Sequence, residues 1–278
     1  MIRRETADEF WLITQHDHAL LAGEVARHVG NGRFRRPDRF DEVIQGISLH
    51  DSGWPLHDDE PTLNAMHLPL DVFETPREVG LQVWRASADR AQQANPYAGL
   101  LTSLHALSLS FYATGPSPFT NEKFDLSTPQ AKFAINKFQH HEVQRQEALR
   151  AELGLRNDLP RKFGLSEAAD PRERELVFHF RLLQAMDKIS LALCCTNPPA
   201  ATIEPVLPAP DESATAIAIQ RHGNDVLLDP WPFAVAEIAL TVPYRPVPRR
   251  TYADEREFRE MYASAPAESF AAKLRARV

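Results

Sequence analysis

Five residues of this chain combine metal-binding chemistry with positions that must face inward: His18, His50, Asp51, His105 and Asp187. His18 shares a helical face with Leu21, Ala22, Val25 and Val29 through three- and four-residue steps. Val43 and Ile47 lead down a second face to His50–Asp51. A third stripe is Leu101, His105, Leu109 and Tyr112; a fourth is Phe180, Leu183, Asp187, Leu191 and Cys194. Asp187 is the most informative of the set, because an ionised carboxylate on a core-facing stripe is costly unless paired, hydrogen-bonded or bound to metal. Taken alone it reads equally as a helix cap or an arginine partner, and a lone histidine on such a face is more often a satisfied core group. Four faces that carry imidazoles and carboxylates into one helical core are what a hard-to-borderline divalent ion requires.

Adjacent ligands need a special position, since neighbours on a helix point roughly 100° apart. His50–Asp51 is therefore expected at a helix end, where the chain unwinds into Gly53–Trp54–Pro55 and Gly53 supplies the freedom for both side chains to grip one ion.

The elements that position these residues can be read in outline. Two short strands are expected at Met1–Glu5 and Glu9–Thr14, then a helix from Gln15 that Gly30–Asn31–Gly32 ends. A second helix starts at Pro37 or Asp38 and ends near Gly53. Residues 55–75 read as a long ordered loop. Pro76 opens a third helix to about Ala94, and Asn95–Pro96 opens a fourth, Tyr97–Ala113. Gly115–Phe119 reads as a loop. Ser127 or Thr128 begins a helix to about Leu153, and Asp170–Pro171 begins another that reaches Cys195. Beyond Asn197-Pro-Pro199 the chain turns proline-rich, with strands at Thr215–Gln220, Asp225–Leu228 and Glu237–Val242 and a hairpin turn at His222-Gly-Asn224. The final stretch, Asp254–Arg277, reads as helix, with a break at Pro266. The expected fold is mainly α: a helical bundle with a short N-terminal β-hairpin and a small C-terminal β-rich region, divided as 1–197 and 198–278.

Composition sets the class. Of 278 residues 43% are hydrophobic and 25% charged, an ordinary globular balance. A net charge of -7 gives no general attraction to nucleic acid, so no nucleic-acid partner is expected. No apolar run approaches the roughly 20 residues that span a bilayer, and no secretory signal opens the chain, so no membrane partner is expected either. Cys194 and Cys195 are adjacent and cannot form a disulfide framework, which fits a reducing compartment; a cytoplasmic location is the expectation.

The order of His, His-Asp, and a distant Asp followed by Lys and an apolar run resembles the HD-domain superfamily of metal-dependent proteins. The matching pieces are His18 in HALLAGEVA, His50-Asp51-Ser52-Gly53, and Asp187 in AMDKISLAL. Within it the chain is similar to an uncharacterised bacterial family of unknown-function proteins. That likeness rests on HALLAG, LHDSGW followed by Asp58 and Pro61, NPYAGLLTSLHALSL, MDKISLALC and Pro230–Phe233. The resemblance implies an HD-type helical bundle in which His18, His50, Asp51 and Asp187 hold a divalent metal (Fe, Mn, Zn, Ni or Co), one ion or two. In two-metal members further histidines hold the second ion. His105 is the candidate here, with His140, His141 and His179 left open. Asp51, Asp58, His105 and Lys188 are the expected catalytic groups, and Asp58 or Gln184 could orient ligating imidazoles. His57-Asp58-Asp59 otherwise reads as a solvated turn, with Asp58 at the mouth of the site.

The implied activity is hydrolysis of a small phosphorylated molecule or nucleotide. Many phosphohydrolase members follow HDxG with Lys or His, whereas this chain has Trp54, so the basic group must come from elsewhere, Lys188 or Arg181. One alternative is a di-iron oxygenase that cleaves a C–C or C–P bond. Another is a non-catalytic, metal-stabilised binding module.

Overall fold

The computed structural model describes residues 1–112, 128–156, 158, 161, 165 and 170–277. The expected loop at Gly115–Phe119 and the helix start at Ser127 lie outside the described residues. Helices form where periodicity and capping agree. Thr14 caps α1 (Gln15–Ala26) by accepting from the Asp17 N–H at 3.0 Å. α2 spans Phe40–Leu49, α3 Pro55–Asp58, α4 Arg77–Ala94 and α5 Pro96–Tyr112. α6 (Pro129–Glu152) and α7 (Pro171–Cys194) each start with a proline behind a capping side chain, Thr128 and Asp170. α8 covers Glu255–Ser264. Among the described residues no helix is long and apolar enough to cross a membrane.

The strands are β1 (Ile2–Glu5), β2 (Glu9–Ile13), β3 (Thr202–Val206), β4 (Thr215–His222), β5 (Asp225–Asp229), β6 (Glu237–Pro248) and β7 (Glu268–Ala276). They form one curled sheet in the order β1-β2-β6-β7-β5-β4-β3, antiparallel except for β5 beside β7. The β4–β5 hairpin turns at Gly223–Asn224, where Gly223 takes a φ of 63°.

This overturns the mainly-α, HD-like bundle with a small β region. Helix accounts for 48% and strand for 21% of the described structure, so the fold is α+β around a seven-stranded mixed sheet. The expected terminal helix is α8 followed by β7, in which Phe270, Ala272 and Leu274 are buried on alternate positions. Its alanines, Lys273 and Arg275 have the composition of a helix, but the tertiary slot between β6 and β5 decides. The N-terminal hairpin joins the C-terminal strands: β2 pairs with the far end of β6, Phe10 facing Val247 and Trp11 facing Pro246.

α1 lies against β6, and α7 against β3 and β5; α2 packs on both helices, α5 packs on α2 and α7, and α4 and α6 pack on α5. One apolar cluster runs through both layers, from Leu21, Ile47, Leu104, Leu183 and Ile189 on helices to Ile203, Val226, Leu240 and Leu274 on strands. A smaller cluster beneath α8 holds Phe10, Leu12, Val247, Tyr252 and Phe258. Two arginines from the sheet close the C-terminus of α7. Arg4 donates to the Leu193 carbonyl at 2.9 Å, and Arg221 to the carbonyls of Cys195 and Thr196. Cations there satisfy the last carbonyls and complement the helix dipole.

Candidate metal centre

The helix faces converge as their stripes require. α1 delivers His18, the end of α2 delivers His50 and Asp51, α5 delivers His105, and α7 delivers Asp187. His18 and His50 are each 1% exposed, His105 4% and Asp51 6%, so bulk water cannot satisfy the ring nitrogens or the Asp51 carboxylate. His18 Nε2 lies 3.0 Å from Asp187 Oδ1, and His50 Nε2 lies 3.5 Å from the same oxygen and 3.6 Å from Asp51 Oδ2. Two ligands of one ion, each about 2.1 Å from it and roughly 90–110° apart, stand about 3.0–3.4 Å from one another. The observed spacings suit one small cation.

His50 makes the strongest case. Its Nδ1 is 2.7 Å from the Ile47 carbonyl, which can only accept, so Nδ1 carries the proton. The opposite nitrogen, Nε2, is buried, makes no hydrogen bond among the described residues and faces two carboxylates. Burial pulls the basicity of the ring down, but Asp51 and Asp187 outweigh it and raise its pKa to about 9. Burial likewise raises Asp51, against His50 and His18. For Asp187 burial acts upward too, yet the His18 and His50 imidazoles beside it, with His105, hold it well below the carboxylate range. The centre is thus a place where positive charge is strongly favoured, as proton or as metal.

Ligand-capable atoms of His18, His50 and Asp51 lie within 4.8 Å of one another, as do those of His50, His105 and Asp187. His105 Nε2 is 3.9 Å from Asp187 Oδ2, its Nδ1 has no hydrogen bond, and burial drives its pKa down to about 3. Both groups contain His50.

Other expected residues have partners of their own. Asp58 lies in the short helix α3 rather than in a solvated turn, and it is buried. Its carboxylate accepts from the Met1 amino group and from the Gln15 N–H, both at 2.8 Å, which anchors the start of α1 three residues before His18. Lys188 follows Asp187 and reaches the Glu204 carbonyl at 3.4 Å; burial lowers its pKa, while Asp187 opposes that. Arg181 donates to Gln184 at 2.7 Å on the same helix. His140 is exposed, and His141 stands between Arg85 and Arg145.

His179 belongs to a separate polar contact: its Nδ1 is 2.7 Å from the Tyr97 hydroxyl and it is 1% exposed. Burial, with Arg35 and Arg39 adding, lowers its pKa to about 3. In the unfolded chain it titrates near 6.5, so between about 6.5 and 3 the unfolded state binds more protons and stability falls as pH falls. The slope from this group is at most about 1.4 kcal/mol per pH unit. His179→Gln should narrow the gap in Tm between neutral and mildly acid buffer. An identical gap in wild type and variant would contradict this.

The turn after His50 differs from the expected unwinding. His50 keeps right-handed helical backbone angles (φ -58°, ψ -27°), and Gly53 serves close approach rather than flexibility. A Cβ on Gly53 would stand 2.1 Å from the Val83 carbonyl oxygen and 2.6 Å from the Ser87 nitrogen, both backbone atoms of α4. The Gly53 N–H donates to Ser87 Oγ at 2.8 Å, and Arg90 donates to the Ser52 carbonyl. Gly53→Ala should therefore destabilise by about 1–3 kcal/mol through overpacking and weaken metal binding by displacing Asp51. A denaturation midpoint matching wild type would contradict it.

An α+β fold with a buried His/Asp centre at the junction of four helices defines the class of protein. The sequence model of a family described as "Protein of unknown function (DUF3891)" matches residues 1–249, and the chain belongs to that family. No curated protein and no solved structure matches it.

Proposed function

We propose that this chain is a metal-dependent hydrolase of the HD type, acting on a small phosphorylated molecule with one divalent ion held by His18, His50, Asp51 and Asp187. The observation that carries this reading is His50 Nε2, a buried, unbonded nitrogen between two carboxylates with its other nitrogen committed to a carbonyl. Such an ion supplies Lewis acidity and a water acidic enough to attack near neutral pH. Imidazole Nε2 has one lone pair, so His50 serves one ion. Both candidate groups, His18–His50–Asp51 and His50–His105–Asp187, need His50, which supports a reading with one ion. Lys188 and Arg181 stand on the helix that carries Asp187 and offer the positive charge for a phosphate that Trp54 does not.

One contact favours a second reading, a di-iron oxygenase of C–C or C–P bonds. Asp187 Oδ2 faces His105 while Oδ1 faces His18 and His50, a bridging disposition. Turnover of a generic phosphate ester by protein loaded with Mn, Co, Ni or Zn, lost in Lys188→Ala through a raised KM, tests the hydrolase. Bound metal without turnover on any phosphate ester would favour the binding module instead.

A further inference from the structure

Two side chains outside the ligand set hold ligands in place. Ser190, three residues after Asp187 on α7, is fully buried, and its Oγ lies 2.7 Å from the His18 carbonyl oxygen and 2.8 Å from His18 Nδ1. A carbonyl cannot donate, so the single hydroxyl proton lies on the carbonyl contact, and the ring must donate Nδ1–H to Oγ. That leaves Nε2 turned toward Asp187 Oδ1 at 3.0 Å as the ligating nitrogen. Ser190 thus ties one residue twice, by backbone and by ring.

Trp54 does the equivalent for the acid. Its indole N–H donates to Asp51 Oδ1 at 3.1 Å, which leaves Oδ2 as the oxygen near His50. The indole is 2% exposed, and the one-turn spacing from Asp51 lets a single backbone segment fix both groups. The indole N–H is donor-only, so it orients the carboxylate without competing for the cation.

We propose that Ser190 and Trp54 are positioning residues that set the metal affinity of this centre, Ser190 by fixing the His18 ring and Trp54 by fixing the Asp51 carboxylate. The inference rests on the metal reading given above. Hydrogen-bond partners of ligating groups typically account for 10–100-fold in metal affinity.

The experiment titrates metal-free protein with Zn²⁺ and, separately, Mn²⁺, followed by calorimetry, for wild type, Ser190→Ala, Trp54→Phe and Ser52→Ala. Ser52 is a buried serine of the same turn whose hydroxyl makes no hydrogen bond, so it reports packing alone. Thermal stability of each metal-free protein is measured beside it. The expected result is a 10–100-fold weaker Kd in Ser190→Ala and in Trp54→Phe, with Ser52→Ala unchanged. A structural role alone would lower metal-free Tm and leave Kd untouched, and that result overturns the proposal. An equal loss in Ser52→Ala also overturns it, since removal of any buried group would then suffice. Wild type that binds neither ion overturns the metal reading itself, an outcome distinct from wild type that binds as tightly as its variants.

Discussion

His50→Ala and Asp187→Asn are each expected to abolish binding of a divalent ion at the proposed centre while the helical circular dichroism survives. The loss should exceed the roughly 10–100-fold expected when only an orienting partner is removed, because each change deletes a direct ligand. Asp187→Asn is the cleaner of the two. Its volume is nearly conserved, so the packing of Leu183, Ile189 and Leu191 around it holds. The new amide nitrogen can donate to His18 Nε2, which lies 3.0 Å from Oδ1 in the wild-type protein, so a hydrogen bond is available and only the charge is lost. Metal affinity unchanged in Asp187→Asn would make the residue a buried structural acid, and retained occupancy in both variants would remove the site assignment.

Glu173→Gln is expected to be among the most destabilising single changes outside the centre. Glu173 and Arg150 are an ion pair between α7 and α6, with side chains 0% and 1% exposed. Neither charge can return to water while the helices stay docked, so removing one leaves the other buried with its solvation lost. Breaking such a pair from one side costs about 3–5 kcal/mol. At roughly 2–4 °C per kcal/mol for a chain of this size, Tm should fall by about 6–20 °C. The neighbouring Arg161, 3.7 Å from Glu173, adds a second charge that the acid balances. A Tm within a degree or two of wild type would show that the pair is not desolvated as the structure places it. Metal affinity should be unaffected per folded molecule, since neither residue touches the centre.

The residues of the centre were legible because each sits on a strongly periodic helix, where three- and four-residue steps place one polar group among apolar ones. His18, His50, Asp51, His105 and Asp187 come together in two groups that share His50. Asp58 shows the limit of that reasoning: its proximity to the His-Asp pair in sequence suggested the mouth of the site, but its carboxylate is spent on Met1 and Gln15. Ser190 carried a readable signal that was missed, its three-residue step from Asp187 onto the neighbouring part of one face. Trp54 was visible only as a departure from a basic residue.

Sheet architecture was far less legible. β3 is hidden among prolines, and β6 continues through Pro243, Pro246 and Pro248, residues that argue against a central strand. β6 tolerates them in part because it changes partner along its length, from β7 at 237–244 to β2 at 245–248. The pairing of β2 with β6, a strand more than two hundred residues away, is a long-range fact that no local pattern encodes.

Metal content of protein purified without added metal, determined by elemental analysis for wild type beside His105→Ala, decides whether the centre holds a single ion. One divalent ion per chain is expected in wild type, with the same ion retained in His105→Ala, since the proposed ligands His18, His50, Asp51 and Asp187 do not include His105. Two ions in wild type with one lost from the variant would contradict the single-ion site, and no ion in wild type even after dialysis against divalent metals would contradict the metal centre altogether.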